Sequence, residues 1–556
     1  MNTQMADRVP VLITGGSLVG LSASLFLGRL GVPHLLVERH AETSRHPRGR
    51  GNNLRTMELF RVAGVEQDIR DAASVLADNH GILQAETLSG GEQEWLFREI
   101  DPGGGLARFS PSGWCLCSQN DLEPVLQRHA AELGDVRFNT ELLTFEQDAD
   151  GVTARLRDRA TGEEREVRAD YLIAADGPRS PVRERLGIGQ SGRGDLFHNV
   201  SVTFRAKRLA DVVGDRLFIA CYLTDPAGAG ALLPVDNREQ WVFHLPWHPE
   251  RGEDVEDFTD ARCIAHIRAA AGVPDLEVEI TGRAPWHAAE RVADRYSAGR
   301  VFLCGDSAHE MPPTGAFGSN TGIQDAHNLA WKLAAVLGGW GGPRLLDSYG
   351  VERRPVAVQT AARAAARSVE HQHPGFDAAP VGGPRTNVLA VALGYRYVEG
   401  ALVGADATAG VIPERFAATG EVGTRAPHVW VRDAQGARRS TLDLFTDAPV
   451  LLAPAADGAR WPDAARQVAA ETGVPVRCFL VGEGGDLRPE PLPDAPSGAR
   501  PAGPVAPVGW PASYGLRPGG AVLVRPDGFI GWRATGAVGD PVAALRVGVR
   551  GVAGLS

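Results

Sequence analysis

The chain has 556 residues, 43% hydrophobic and 22% charged, enough for more than one core at the usual ~100–200 residues per domain and ordinary for globular protein. Its formal net charge of −11, with scattered arginines and only Lys207 and Lys332 as lysines, argues against nucleic acid, whose phosphates call for concentrated positive charge. No apolar run reaches the ~18–20 residues of a membrane span, segment 9–37 lacks a basic leader, and the six cysteines contain no CxxC pair, so a cytoplasmic protein with reduced thiols and no metal is expected.

Residues 9–14 predict a buried strand, 18–30 a helix closed by Gly31, and 34–37 a second strand, together a right-handed βαβ unit. Between the first strand and the helix lies Gly15-Gly16-Ser17-Leu18-Val19-Gly20. This follows the GxGxxG dinucleotide pattern, with Ser17 at the second glycine position. Such a turn lets a pyrophosphate approach the backbone, where the helix N-terminus offers unpaired N–H groups and a positive dipole end. Glu38 and Arg39 end the second strand at the distance expected for ribose contacts. The motif alone does not separate NAD from FAD.

Further along, an apolar strand at 171–175 runs into Asp176-Gly177-Pro178-Arg179-Ser180-Pro181-Val182-Arg183, which by itself reads as a turn. Strand-like segments at 197–204, 216–223 and 241–245 are rich in aromatic and β-branched residues and predict an inserted β-rich region. Nucleotide-binding elements resume at Arg300, where a strand delivers Asp306 at its C-terminal end, the edge at which open α/β sheets bind ligands. Pro312-Pro313-Thr314-Gly315-Ala316-Phe317-Gly318-Ser319-Asn320 follows. Helices are predicted at 321–338 and 355–371, and a Pro- and Gly-rich connection at 372–385. From about Gly404 the composition changes. A Pro-rich loop at 488–511 separates strand-like 476–481 from 520–524, as in a small α/β domain. The expected division is 1–184, 185–295, 296–403 and 404–556.

These three motifs, in this order and spacing, resemble the class A FAD-dependent aromatic hydroxylases of the 4-hydroxybenzoate and phenol hydroxylase type. Pro47-Arg48, Arg55-Thr56-Met57-Glu58-Leu59 and residues 114–123 resemble bacterial aromatic polyketide hydroxylases, such as aklavinone 11-hydroxylase. The resemblance implies a Rossmann-like FAD-binding domain, an inserted β-sheet substrate domain and a C-terminal thioredoxin-like domain. With Cys478 as the tail's single cysteine, redox activity is not expected there. It also implies that NADPH or NADH reduces FAD and that O2 forms a flavin C4a-hydroperoxide, which hydroxylates a small aromatic substrate. Baeyer–Villiger insertion, epoxidation and a plain FAD-dependent reductase stay open as alternatives, as do a monomer or a homodimer. No second dinucleotide fingerprint is present, because Gly482-Glu483-Gly484-Gly485 lacks the spacing; the nicotinamide is therefore expected to visit transiently.

By the same resemblance, Gly15, Gly16, Ser17 and Gly20 hold the FAD pyrophosphate and Glu38 the adenosine ribose. Arg48 and Gln119 touch the flavin or its phosphates, Asp176 belongs to a motif serving FAD and nicotinamide, and Asp306 binds the ribityl chain. Gly318, Ser319 and Asn320 lie at the flavin, the last two offering backbone N–H groups to its pyrimidine, and Pro313 faces the substrate. A helix beginning at Asn320 would favour an anionic reduced flavin by ~0.3–1 kcal/mol. On the substrate side Tyr222, Trp241, Phe243, His244 and Trp247 either line an aromatic pocket or form ordinary sheet core. Tyr222 and His244 are the candidates for deprotonating a phenol; His309 and Met311 read as structural.

Overall fold

The computed structural model describes residues 7–371, 387–490 and 509–555. The predicted 372–385 connection lies outside these residues. The strand Asp7–Thr14, the helix Leu18–Arg29 and the strand His34–Val37 form the expected βαβ unit. The first strand also pairs in parallel with Glu164–Ala174, which in turn pairs in parallel with Val301–Leu303. Register does the functional work here. Thr14 lies opposite Val37 and Ala174, and Ala174 opposite Leu303. Three motifs far apart in sequence therefore leave one sheet edge side by side. Val11, Leu12, Ile13, Leu36, Ile173 and Leu303 are fully buried, each worth about 1.5–3 kcal/mol relative to exposure. Burial on both faces explains why these strands read as continuous apolar runs.

A second sheet is interleaved with the first. Its order is His309–Glu310, Glu279–Ala293, Gln190–Arg205, Gln240–Trp247, Gly230–Pro234, Ala220–Leu223, Ile82–Ala85 and Gln93–Phe97. The strands predicted at 197–204 and 241–245 lie inside longer ones. That at 216–223 begins only at Ala220, because the backbone N–H groups of Arg216, Leu217 and Phe218 are committed to turn bonds with Val213, Asp215 and Arg216. The helix Asp260–Ala271 covers one face of this sheet.

Two long helices, Phe317–Leu337 and Arg344–Glu370, follow. The first starts four residues earlier than expected. The second runs straight through Pro355, although proline forfeits a helix hydrogen bond. Its neighbours Glu352, Arg353, Val356 and Ala357 are buried, so tertiary packing outweighs the local preference.

The C-terminal sheet has the order Arg477–Val481, Val450–Pro454, Ala521–Val524, Ile530–Ala534, with the first pair parallel and the rest antiparallel. The helices Trp461–Thr472 and Pro541–Val552 pack on one face in the expected thioredoxin-like arrangement. Of the predicted 488–511 loop, Arg488–Pro489 forms a short strand and 491–508 lie outside the described residues. Among the described residues no helix is long and apolar enough to cross a membrane, and no His/Cys/Asp/Glu group could hold a metal.

Candidate active site

A cleft of about 2170 Å³ opens where the three motifs leave the first sheet and meets the second sheet along its far wall. The glycine turn is sterically enforced. Gly15 has φ +102°, and a Cβ there would lie 2.1 Å from the Ala175 carbonyl oxygen. At Gly20 a Cβ would fall 1.8 Å from the Gly15 carbonyl oxygen, and at Gly16 2.7 Å from Glu38 Cβ.

Ser17 needs no such freedom (φ −93°, ψ −169°) and its side chain does not cap its own helix. Its hydroxyl instead donates to Glu123 Oε1 at 2.5 Å. Gln119 Nε2 donates to Ser17 Oγ at 3.0 Å and to Glu123 Oε1 at 2.6 Å, and the Ser44 N–H reaches Glu123 Oε2 at 2.7 Å. Helix Leu18–Arg29 thus begins with no side-chain cap and no acidic residue in its first turn, an end suited to an anion. Glu38 Oε2 accepts the Gly16 N–H at 2.6 Å. Arg39 is exposed, and its carbonyl accepts from Arg159 at 2.7 Å.

The second motif presents Asp176. Its Oδ2 accepts the Val182 N–H at 3.2 Å, its Oδ1 is buried without a partner among the described residues, and burial raises its pKa. The third motif presents Asp306, whose side chain is exposed to the cleft but shut in by its walls; that desolvation raises its pKa. Gly305 (φ +66°) abuts Val19, so a Cβ there would lie 2.7 Å from Val19 Cγ2. Ser307 Oγ donates to the Ala174 carbonyl at 2.6 Å, and Arg183 Nη1 to the Ser307 carbonyl at 3.0 Å, so these two motifs are welded together.

The helix at the cleft floor begins after Ala316, held left-handed at φ 55°, a conformation found at functional sites. Its first turn contains no acidic residue. Because it starts at Phe317, Gly318 and Ser319 have uncommitted N–H groups, whereas Asn320 stands where internal helix bonds begin. This corrects the expectation for Asn320. Its side chain is the working part: Nδ2 donates to the Gly51 carbonyl at 2.8 Å, and Oδ1 accepts the Asn53 N–H at 2.9 Å.

Gly15, Gly16, Ser17, Glu38, Arg39, Arg48, Gln119, Asp176, Asp306, Pro313, Gly318, Ser319, Tyr222 and His244 all line the cleft. Gly20 packs behind Gly15 instead. Trp241 and Phe243, expected as candidates for the substrate pocket, face away from it. With Leu245 they fill the core against Phe258 and Ile267, and Trp241 Nε1 donates to the Ala206 carbonyl at 3.2 Å. Strand alternation then turns His244 to the cleft, where its Nδ1 accepts from Trp286 Nε1 at 3.3 Å. Tyr222 is also at the cleft; burial pushes its phenol up to about 12, which makes it a poor base at neutral pH. Trp247 binds the Glu253 carbonyl at 3.1 Å.

Several site residues escaped the sequence reading. Glu123 stands four residues after Gln119 on the same helix face, a spacing that was legible. His46 Nε2 lies 3.0 Å from Ser201 Oγ, its Nδ1 is buried without a partner among the described residues, and burial with Arg48 nearby lowers its pKa to about 4. Trp114, at the head of the 114–123 segment, completes an apolar wall with Leu54, Phe109, Leu233 and Trp286, which no local motif announces.

A cleft at the strand ends of a βαβ sheet, with a glycine turn at a helix N-terminus, is where open α/β folds bind dinucleotides. Residues 8–364 match the family of FAD binding domains and residues 419–554 the aromatic-ring hydroxylase C-terminal family. The chain belongs to the FAD-binding aromatic-ring hydroxylases. A Streptomyces halstedii protein that carries the provisional name polyketide hydroxylase is 66% identical over 97% of this chain and 94% of its own. Tetracenomycin B2 monooxygenase-dioxygenase of Streptomyces olivaceus is 42% identical over 97% of both chains. Aklavinone-11 hydroxylase, solved with FAD and aklavinone, superposes with a TM-score of 0.86 at 38% identity, covering 99% of this chain and 100% of that one.

Proposed function

We propose that this protein is an NAD(P)H- and O2-dependent monooxygenase that hydroxylates an electron-rich ring of a polyketide-derived phenol. The observation that carries the reading is the pair of helix N-termini opening on one cleft, neither with an acidic first turn nor a side-chain cap. Such ends suit the two anionic parts of a flavin dinucleotide, its pyrophosphate and its reduced ring. Bound FAD would supply the redox chemistry, with the balance ArH + NAD(P)H + H⁺ + O2 → ArOH + NAD(P)⁺ + H2O.

The chain's own residues bind, orient and exclude water. Leu18 and Val19 offer backbone N–H groups to the pyrophosphate, Glu38 takes the ribose, Asp306 the ribityl chain, and Gly318 and Ser319 the pyrimidine. Ser17, Gln119 and Glu123, bonded to one another on the cleft wall, brace the glycine turn. The cleft volume of about 2170 Å³ exceeds the ~300–1,000 Å³ of an ordinary ligand pocket, leaving room for a multi-ring substrate beside the flavin. Trp286 and Phe109 give that substrate flat apolar walls. Trp286 Nε1 donates to His244 Nδ1 and fixes that ring against the cleft wall, beside the space a substrate would fill. Tyr222 stays protonated at neutral pH and serves as a donor. The names of the relatives, polyketide hydroxylase and tetracenomycin B2 monooxygenase-dioxygenase, support the substrate class.

The test measures NADPH oxidation and O2 uptake by FAD-loaded protein over a panel of phenolic polyketides, with product mass. Matched, substrate-stimulated consumption with a gain of one oxygen as a hydroxyl is expected. NADPH loss without O2 uptake would instead make the protein a reductase, and conversion of a ketone to an ester would make it a ring-inserting oxygenase.

A further inference from the structure

Behind the cleft, between the two long helices and the C-terminal sheet, runs a chain of charged side chains with no access to solvent. Asp325, Lys332, Glu352, Arg353, Arg525 and Asp527 are each at most 2% exposed. They are three acids and three bases, so the cluster is neutral as a whole. Buried charges are tolerated only when paired and hydrogen-bonded, and here the pairing has a direction.

The inner end touches the flavin motif. Asp325 Oδ2 binds His309 Nε2 at 2.8 Å and accepts the Gly305 N–H at 3.4 Å, while its Oδ1 accepts from Arg353 Nε at 2.6 Å. Gly305 immediately precedes Asp306. The middle joins the two helices: Asn328 Nδ2 donates to Glu352 Oε2 at 2.8 Å, and Lys332 Nζ to the same oxygen at 2.7 Å. Tyr397 OH bridges the two levels, accepting from Arg353 at 3.3 Å and Asn328 at 3.4 Å. The outer end belongs to the C-terminal sheet. Arg525 grips Glu352 with both terminal nitrogens, at 2.7 and 2.8 Å, and Asp527 Oδ2 at 2.6 Å; Asp527 also accepts from Asn328 at 3.1 Å.

We infer that Arg525 and Asp527 are positioning residues of the flavin site, acting through the Asn328–Glu352 and Asp325–Arg353 levels to hold Gly305 and Asp306 in place. The C-terminal region is then part of the FAD-binding machinery, although none of its described residues lines the cleft. A pure docking role would need no continuation past Glu352. The continuation to Gly305 and His309 points to the flavin motif, in the way outer-shell partners fix the groups that touch a cofactor.

This inference rests on the reading that Asp306 meets FAD, and the test separates the two. In the full-length protein, Arg525→Met with Asp527→Leu removes one positive and one negative charge and leaves the Lys332–Glu352 pair matched. Replacing a buried pair by apolar groups of similar size commonly preserves folding. Arg61→Met with Asp443→Leu removes a two-point ion pair, at 2.8 and 3.1 Å, that also ties the C-terminal region to the N-terminal part of the chain but, among the described residues, bonds to none of the six charged side chains above. Tyr397→Phe removes only the bridging hydroxyl.

The FAD dissociation constant, the flavin's visible spectrum and its reduction potential are measured for each, with apoprotein melting as the folding control. The expected result is at least tenfold weaker FAD binding and a shifted potential for the 525/527 pair, a smaller loss for Tyr397→Phe, and less than a twofold change for the 61/443 pair. FAD affinity and potential unchanged in the 525/527 pair, or equal losses in both pairs, would reduce the network to docking. Asp306→Ala weakens FAD if the site reading holds; if it does not, that reading and this inference fall together.

Discussion

Two strand-turn-helix units in this chain obey the same local rules and come to opposite ends. In the first, the strand Asp7–Thr14 turns through Gly15 and Gly16 into the helix at Leu18. In the second, Val450–Pro454 turns through Gly458 into the helix at Trp461. Each turn requires glycine: a Cβ at Gly458 would lie 2.4 Å from the Pro454 carbonyl oxygen, as one at Gly15 would clash with Ala175. The difference lies in the donors left over. In the second turn Ala455 and Gly458 donate to Val481 and Pro454 at 2.9 and 2.8 Å, and Trp461 to Gly458 at 3.0 Å. Pro462 has no N–H, and Asp463 neutralises the helix end. In the first, the N–H groups of Leu18, Val19 and Gly20 precede the earliest internal bond, Leu21 to Ser17 at 2.9 Å, and no acid stands in the first turn. A shared architecture becomes a binding site where the turn leaves its donors unspent.

The sharpest way to break this contrast is a matched pair of alanine substitutions. Gly20→Ala drives a Cβ into backbone and is expected to weaken FAD binding about 1,000-fold, about 4 kcal/mol, by equilibrium dialysis. Gly458→Ala is expected to cost about 1–3 kcal/mol of stability in denaturant titration while leaving FAD affinity within about twofold. Comparable FAD loss in both would end the distinction.

Acidification sharpens it next. His428 in the C-terminal region and His46 in the cleft both have pKa values lowered to about 4, chiefly by burial. A histidine held neutral in the folded state and titrating near 6.5 when unfolded binds more protons unfolded, so stability is full above about pH 6.5 and falls as pH drops toward 4. His428, largely buried, is expected to account for about 2 kcal/mol of loss between pH 7 and pH 5. His428→Asn flattens that slope in denaturant titrations. His46, partly open to the cleft, contributes less, and a larger His46 effect would show that the cleft is the better sealed of the two.

The smallest expected effect is at Cys478. Burial pushes its thiol up to about 12, so it carries no thiolate at neutral pH. Cys478→Ser leaves flavin reduction and turnover unchanged in stopped-flow assays. A slowed reduction step would assign the C-terminal sheet a redox role.

Local pattern by itself determined the βαβ start, the glycine turn, Glu38 at the second strand's end, Asp306 after its strand, and the order of motifs that marks the family. Each depends on neighbours a few residues away: periodicity, a positive φ, an acid at a strand terminus. Trp241 and Phe243 share a strand with His244, and alternation guaranteed that they would face opposite ways. Which face met the cleft was settled only by the helix Asp260–Ala271 packing on the other side. The start of the floor helix at Phe317 depends on Ala316 being held left-handed, and Asn320 works through its side chain because Gly51 and Asn53 lie beside it. Ser17 with Glu123, and Glu352 and Asn328 with Arg525 and Asp527, are meetings of residues 106 to 199 positions apart. Their energies come from burial and pairing across elements, which no local window of sequence contains.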